Sequence, residues 1–146
     1  MKAEHVNNIK SYLESHHNEM IDYLKALVEI ETPSQSKNSQ YEIFNLIADK
    51  LSHLGYYSIQ PRGNKTGGYL YARPINRNKS LPLQLLVGHC DTVWPITTIA
   101  DMPIISINGK LKGPGVYDMK VGLTQIIFAL KAIKELDLEL TVTPII

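Results

Sequence analysis

The feature that most constrains the fold is a short apolar run at residues 83–87, Leu-Gln-Leu-Leu-Val, closed by Pro82 on one side and Gly88 on the other. A run of that length, too short for a helix and bounded by turn-forming residues, has the expected look of a strand buried on both faces of a sheet. The segments around it have a different period. From His5 to about Ile30, Ile9, Tyr12, Leu13, Ile21, Leu24, Leu27 and Val28 recur at spacings of three and four, which predicts one amphipathic helix, stopped by Thr32-Pro33-Ser34. Residues 39–54 repeat the pattern through Ile43, Phe44, Ile47, Leu51 and Leu54, and Gly55 stands at the position of a C-cap glycine.

Residues 56–61 and 68–73 read as short Tyr-containing strands separated by the turn Arg62-Gly63-Asn64. Residues 103–107 and 110–112, joined by Asn108-Gly109, form a hairpin pattern, since Asn-Gly supplies the positive φ angles of a type I′ turn. A last helical pattern runs from Met119 to about Leu136, and a further strand begins at Leu140. Helices alternating with a buried strand predict an α/β layer fold.

The bulk properties narrow the function. The 146 residues fit one domain or part of one, and 44% hydrophobic content excludes disorder over most of the length. Fifteen Lys and Arg against 14 Asp and Glu, scattered without clusters, leave no electrostatic footprint for nucleic acid or an anionic membrane, so neither partner is expected. The N-terminus has no apolar signal region and the chain no membrane-length stretch, which makes the cytoplasm the default address. The single cysteine, Cys90, cannot form an internal disulfide.

Two constellations carry chemistry. His89-Cys90-Asp91 follows the buried run, at the strand end where open α/β sheets collect binding groups. In an extended segment, residues two apart share a face, so His89 can bind a metal while Asp91 orients its ring; a core histidine with satisfied hydrogen bonds is the alternative. The second is Gly113-Pro114-Gly115-Val116-Tyr117-Asp118-Met119-Lys120, a glycine-rich turn that delivers a carboxylate to the start of a helix. Asp118 either caps that helix or, having two oxygens, bridges two cations. Val121 stands where a capping box needs Glu or Gln, so that motif does not support the cap.

His89-Cys90-Asp91-Thr92-Val93-Trp94-Pro95 followed by the Gly-Pro-Gly-Val-Tyr-Asp-Met-Lys turn resembles the paired signatures of the M20 metallopeptidases, and Trp94-Pro95 with Tyr117 to Lys120 is most similar to the glutamate carboxypeptidase, or carboxypeptidase G2-like, branch. Residues 27–34 are similar to the family's first helix and its exit turn. The resemblance implies the N-terminal part of a zinc-peptidase-like three-layer catalytic domain, a mixed sheet flanked by helices. It implies two Zn2+ per intact site, with His89 as a ligand of one, Asp118 bridging both and Asp91 as the catalytic-site aspartate. It further implies a cis peptide bond after Asp118, and hydrolysis of a small peptide, releasing C-terminal glutamate, or of an N-acyl amino acid. Val121, where many relatives have Gly, crowds the turn without altering a ligand.

By the same resemblance a Glu-Glu pair holding the general base, a later carboxylate, a distant histidine and a lid or dimerisation domain are expected beyond residue 146. The chain is therefore expected to be a truncated third of such an enzyme, to bind zinc weakly or not at all, and to be inactive alone or to serve as an interaction module. A strand cut in mid-run at residues 140–146 is expected to promote self-association.

Overall fold

The computed structural model describes residues 3–146. Two helices, α1 (Ala3–Ser15) and α2 (His17–Glu29), lead into α3 (Lys37–His53). The antiparallel pair β1 (Tyr56–Ile59) and β2 (Tyr71–Pro74) follows, then β3 (Leu83–Leu85), the single turn α4 (Thr98–Asp101) and the hairpin β4 (Ile105–Ile107) and β5 (Lys110–Lys112). An irregular turn, Val116–Lys120, feeds α5 (Val121–Glu135), and β6 (Thr143–Ile145) closes the chain by pairing in parallel with β3. Ala72 and Ile146 exchange reciprocal backbone hydrogen bonds of 2.8 and 2.9 Å, which joins β2 to the other edge of β6. The result is a mixed α/β arrangement, as the sequence predicts.

The core lies between the helices and this sheet. Leu27, Ile43, Leu51 and Phe128 are almost wholly excluded from solvent, and Tyr56 and Ala72 meet them from the strands. A smaller cluster of Leu24, Val28 and Val116 ties α2 to the turn before α5, and Val121 packs against it. Val121 therefore serves as an apolar anchor for the start of α5, where the sequence alone suggested crowding.

Three expectations need correction. The first predicted helix is two: Tyr12 carbonyl accepts hydrogen bonds from the Ser15 hydroxyl (2.8 Å) and meets His16 Nδ1 at 2.8 Å, and the chain breaks at His16. Side chains that compete for helix carbonyls bend helices in this way, with no Gly or Pro to announce it. His16 stacks on the Tyr12 ring at 4.0 Å, so its face is not a purely solvated one.

Within the run 83–87 only Leu83–Leu85 form a strand, and the run is not buried on both faces: Leu83, Leu85 and Val87 are 54%, 61% and 74% exposed. Among the described residues, only β6 pairs with β3, and no layer covers that face. Conversely the last strand, expected to be sticky, is buried throughout, because it sits between β2 and β3. The hairpin is as predicted, with Asn108 at φ 51° and Gly109 at φ 71°. No helix among the described residues is long and apolar enough to cross a membrane.

Candidate active site

His89 and Asp91 are held out of the core by the residue between them. Cys90 is buried, and its carbonyl accepts a 2.6 Å hydrogen bond from the Thr32 hydroxyl. The Thr92 N–H donates to the Thr32 carbonyl at 2.8 Å, and Pro33 bridges to Thr92 in parallel. Alternation along an extended segment then turns His89 and Asp91 the other way, toward solvent. Burial pushes the Cys90 thiol up to about 11, the state of an inert thiol.

The second constellation arrives from below. Gly115 adopts φ +72°, and a Cβ there would stand 2.6 Å from the Thr92 side chain, so the close approach of the two turns needs glycine. Val116 is buried in the α2 cluster, and Lys120 N–H returns to the Gly115 carbonyl at 3.1 Å. Between these anchors Asp118 rides on the arch with its side chain 82% exposed. The Asp118–Met119 peptide bond is cis, as the resemblance implies.

The three singled-out residues meet. His89 Nε2 lies 3.1 Å from Asp118 Oδ1, and His89 Nδ1 lies 3.2 Å from Asp91 Oδ1 and 3.1 Å from the Asp91 carbonyl. Partial burial works against the charged ring, but the hydrogen bonds to Asp91 and Asp118 prevail and hold the His89 pKa above its ordinary value. They line an open cleft of about 370 Å³ whose rim carries Val93, Trp94 and Tyr117. Asp118 accepts no capping bond at the start of α5, so the helix-cap alternative does not hold.

The sequence reading missed the residues that support this geometry. Ser34 donates to Asp91 Oδ2 at 2.5 Å. Lys120 is 1% exposed, donates to the Ile30 carbonyl at 2.8 Å, and is driven down to about 8 by burial. Glu31 accepts from the N–H groups of Thr97 (2.7 Å) and Ile99 (2.9 Å), which fixes the loop bearing Trp94. Thr32-Pro33-Ser34 reads in sequence only as a helix stop; polar side chains on both sides of that proline are the signal that was there.

Two ligand atoms each about 2.0–2.2 Å from one tetrahedral zinc stand roughly 3.4 Å apart, so the 3.1 Å between His89 Nε2 and Asp118 Oδ1 is compatible with a shared ion. The donor set suits zinc in kind, one imidazole and one carboxylate with the second ring nitrogen anchored on Asp91. Among the described residues no group of three or more His, Cys, Asp or Glu is placed to hold a metal by itself.

The fold is shared with about a third of each of two solved structures. Human carnosine dipeptidase 1 superposes with a TM-score of 0.78 at 21% identity, and the dipeptidase Dug1p of Saccharomyces cerevisiae with 0.75 at 17%; in each case 95% of this chain is covered and 33% of the other. The model of Peptidase family M20/M25/M40 matches residues 85–146, the stretch that contains His89, Asp91 and Asp118. In sequence the chain is 27% identical over 148 residues to N-formyl-4-amino-5-aminomethyl-2-methylpyrimidine deformylase of Bacillus subtilis (strain 168), covering 94% of this chain and 33% of that protein. The chain thus spans about a third of the length of these relatives.

Proposed function

We propose that this chain is the N-terminal part of an M20-type metallohydrolase, and that His89 and Asp118 hold zinc in a site that cleaves an amide bond. The observation that carries the reading is the convergence of His89 Nε2 and Asp118 Oδ1 at 3.1 Å, with Asp91 behind the ring. The similar proteins lend it support, since their names describe dipeptidases and an N-formyl deformylase, and both reactions break an amide carbon–nitrogen bond. Small peptides and N-acyl amino acids are the substrate classes that fit. Glutamate release rests on the branch likeness of Trp94-Pro95 and residues 117–120 and draws nothing from these relatives.

Zinc in such a site polarises the scissile carbonyl and stabilises the negative charge that develops on it. The chain's own residues prepare for that. Asp91 accepting a hydrogen bond from His89 Nδ1–H would hold the tautomer whose Nε2 lone pair is open to a cation. Asp118 presents an exposed carboxylate whose second oxygen is free to reach a second cation. Trp94, Val93 and Tyr117 offer apolar surface to a substrate side chain at the rim.

A second reading, that these residues alone do not turn substrate over, is favoured by the placement of the three acids that follow Asp118. Glu135 ends α5, with Asp137 and Glu139 just beyond it, at the end opposite Asp118, and Glu135 is engaged by Tyr12 at 2.9 Å. None is positioned as a general base.

Calorimetric titration of the chain with zinc tests both. The expected result is measurable but weak binding, weakened tenfold or more in His89→Ala and in Asp118→Asn, without hydrolysis of dipeptides. Binding of equal strength in all three proteins contradicts the metal assignment, and dipeptide hydrolysis by the parent contradicts the second reading.

A further inference from the structure

We propose that Ser34 is a positioning residue for the site: its hydroxyl fixes the Asp91 carboxylate, and through it the ring and tautomer of His89. The inference deepens the metallohydrolase reading and rests on it for its functional meaning, though not for its structural test.

The segment 30–34 touches every part of the site. The Ile30 carbonyl receives Lys120, beneath the Asp118 turn; Glu31 receives the N–H groups of Thr97 and Ile99; Thr32 bonds to Cys90 and Thr92; and Ser34 reaches Asp91. Four of these ties set backbone. Only the last reaches a side chain among the three that converge in the cleft.

An aspartate orients a histidine only if the carboxylate is itself held. Asp91 is half-exposed, and an exposed carboxylate turns freely about its last torsion. Ser34 donating to Oδ2 at 2.5 Å removes that freedom and presents Oδ1 to His89 Nδ1 at 3.2 Å. Nδ1 then has two acceptors, the Asp91 carboxylate and carbonyl, whereas Nε2 has Asp118 alone. That imbalance favours the neutral tautomer with its proton on Nδ1, the form whose Nε2 lone pair is available to a cation. With the carboxylate loose, Asp118 competes for the proton, and the Nε2–H form that results cannot bind one.

Removing the hydroxyl leaves the strap in place. Gln40 Nε2 donates to the carbonyls of Pro33 (3.0 Å) and Ser34 (2.8 Å), and neither bond involves the Ser34 side chain.

The test compares Ser34→Ala and Ser34→Thr with the parent chain by nitrogen NMR of the His89 ring in mildly alkaline solution, beside thermal melting and zinc titration. In the parent the two ring nitrogens are expected well separated, with the proton on Nδ1. In Ser34→Ala their resonances move toward each other and zinc affinity falls about tenfold, with the melting temperature little changed; Ser34→Thr returns both to the parent values. Ring nitrogens in Ser34→Ala identical to the parent's overturn the proposal, and so does a change that Ser34→Thr fails to reverse. If no variant binds zinc yet the ring nitrogens respond as stated, the positioning role of Ser34 stands and the metallohydrolase reading falls.

Discussion

At the scale of single residues, Lys120 is the least expected side chain in the chain, an ammonium carrier 1% exposed beneath the Asp118 turn. Its pKa, lowered from 10.5 to about 8 by burial, means that the folded state binds fewer protons than the unfolded state above pH 8. Stability therefore rises with pH from about 8, where the penalty of the buried charge begins to lift. The rise is opposed from about 9 by Cys90, whose thiol is raised to about 11 and whose stabilising protonated state is lost at high pH. Chemical denaturation at pH 7.5 to 9 is expected to show the gain in the parent and a flatter profile in Lys120→Met. Cys90 itself is expected to resist alkylating reagents at pH 8 in the native state and to react readily in denaturant, measured as thiol titre with and without urea. The sequence shows His89, Asp91 and Asp118 because their chemistry is in their type and spacing. It hides Ser34, Glu31 and Lys120 because their roles depend on which carbonyl or carboxylate the fold brings within reach, contacts separated by 57 to 90 positions along the chain.

At the scale of elements, the turn that carries Asp118 and the hairpin before it both depend on glycine, for different reasons. Gly109 has φ +71° and open space around its Cα, so Gly109→Ala is expected to cost only the strain of the left-handed backbone, about 1 kcal/mol. Gly115 adds a clash, since a Cβ would lie 2.6 Å from Thr92, so Gly115→Ala is expected to cost more, roughly 2–3 kcal/mol, and to push Asp118 away from His89. Urea melts of the two variants, with zinc titration of each, separate strain from displacement. The hairpin was legible in Asn108-Gly109 because a type I′ turn demands that dipeptide. The break at His16 was not, because it comes from Ser15 and His16 turning back on Tyr12, and both residues also occur within uninterrupted helices.

At the scale of the whole molecule, the core is concentrated between α2, α3, α5 and the strands, and Phe128 sits at its centre, 1% exposed. Phe128→Ala is expected to destabilise by about 3–5 kcal/mol in denaturant unfolding, as large cavities do. The face of β3 is the opposite case. Leu83, Leu85 and Val87 are exposed together, an apolar strip of the kind that drives association, so Leu85→Lys is expected to cost little stability and to lower the sedimentation coefficient of concentrated samples. Period and composition placed a strand within the run 83–87, realised at Leu83–Leu85, but could not tell which layers cover it, because burial is a property of neighbours and not of the run. The likeness to the two dipeptidase structures covers 95% of the chain and speaks for the fold alone, so the cleft is where a direct measurement decides. X-ray absorption at the zinc edge, on the chain loaded with one equivalent of zinc, reads the ion's donors directly. Nitrogen and oxygen ligands are expected at about 2.0–2.2 Å with the multiple-scattering signature of one imidazole, lost in His89→Ala. A shell of oxygen alone, or an imidazole signature that survives in His89→Ala, would contradict the assignment of His89 and Asp118 as zinc ligands.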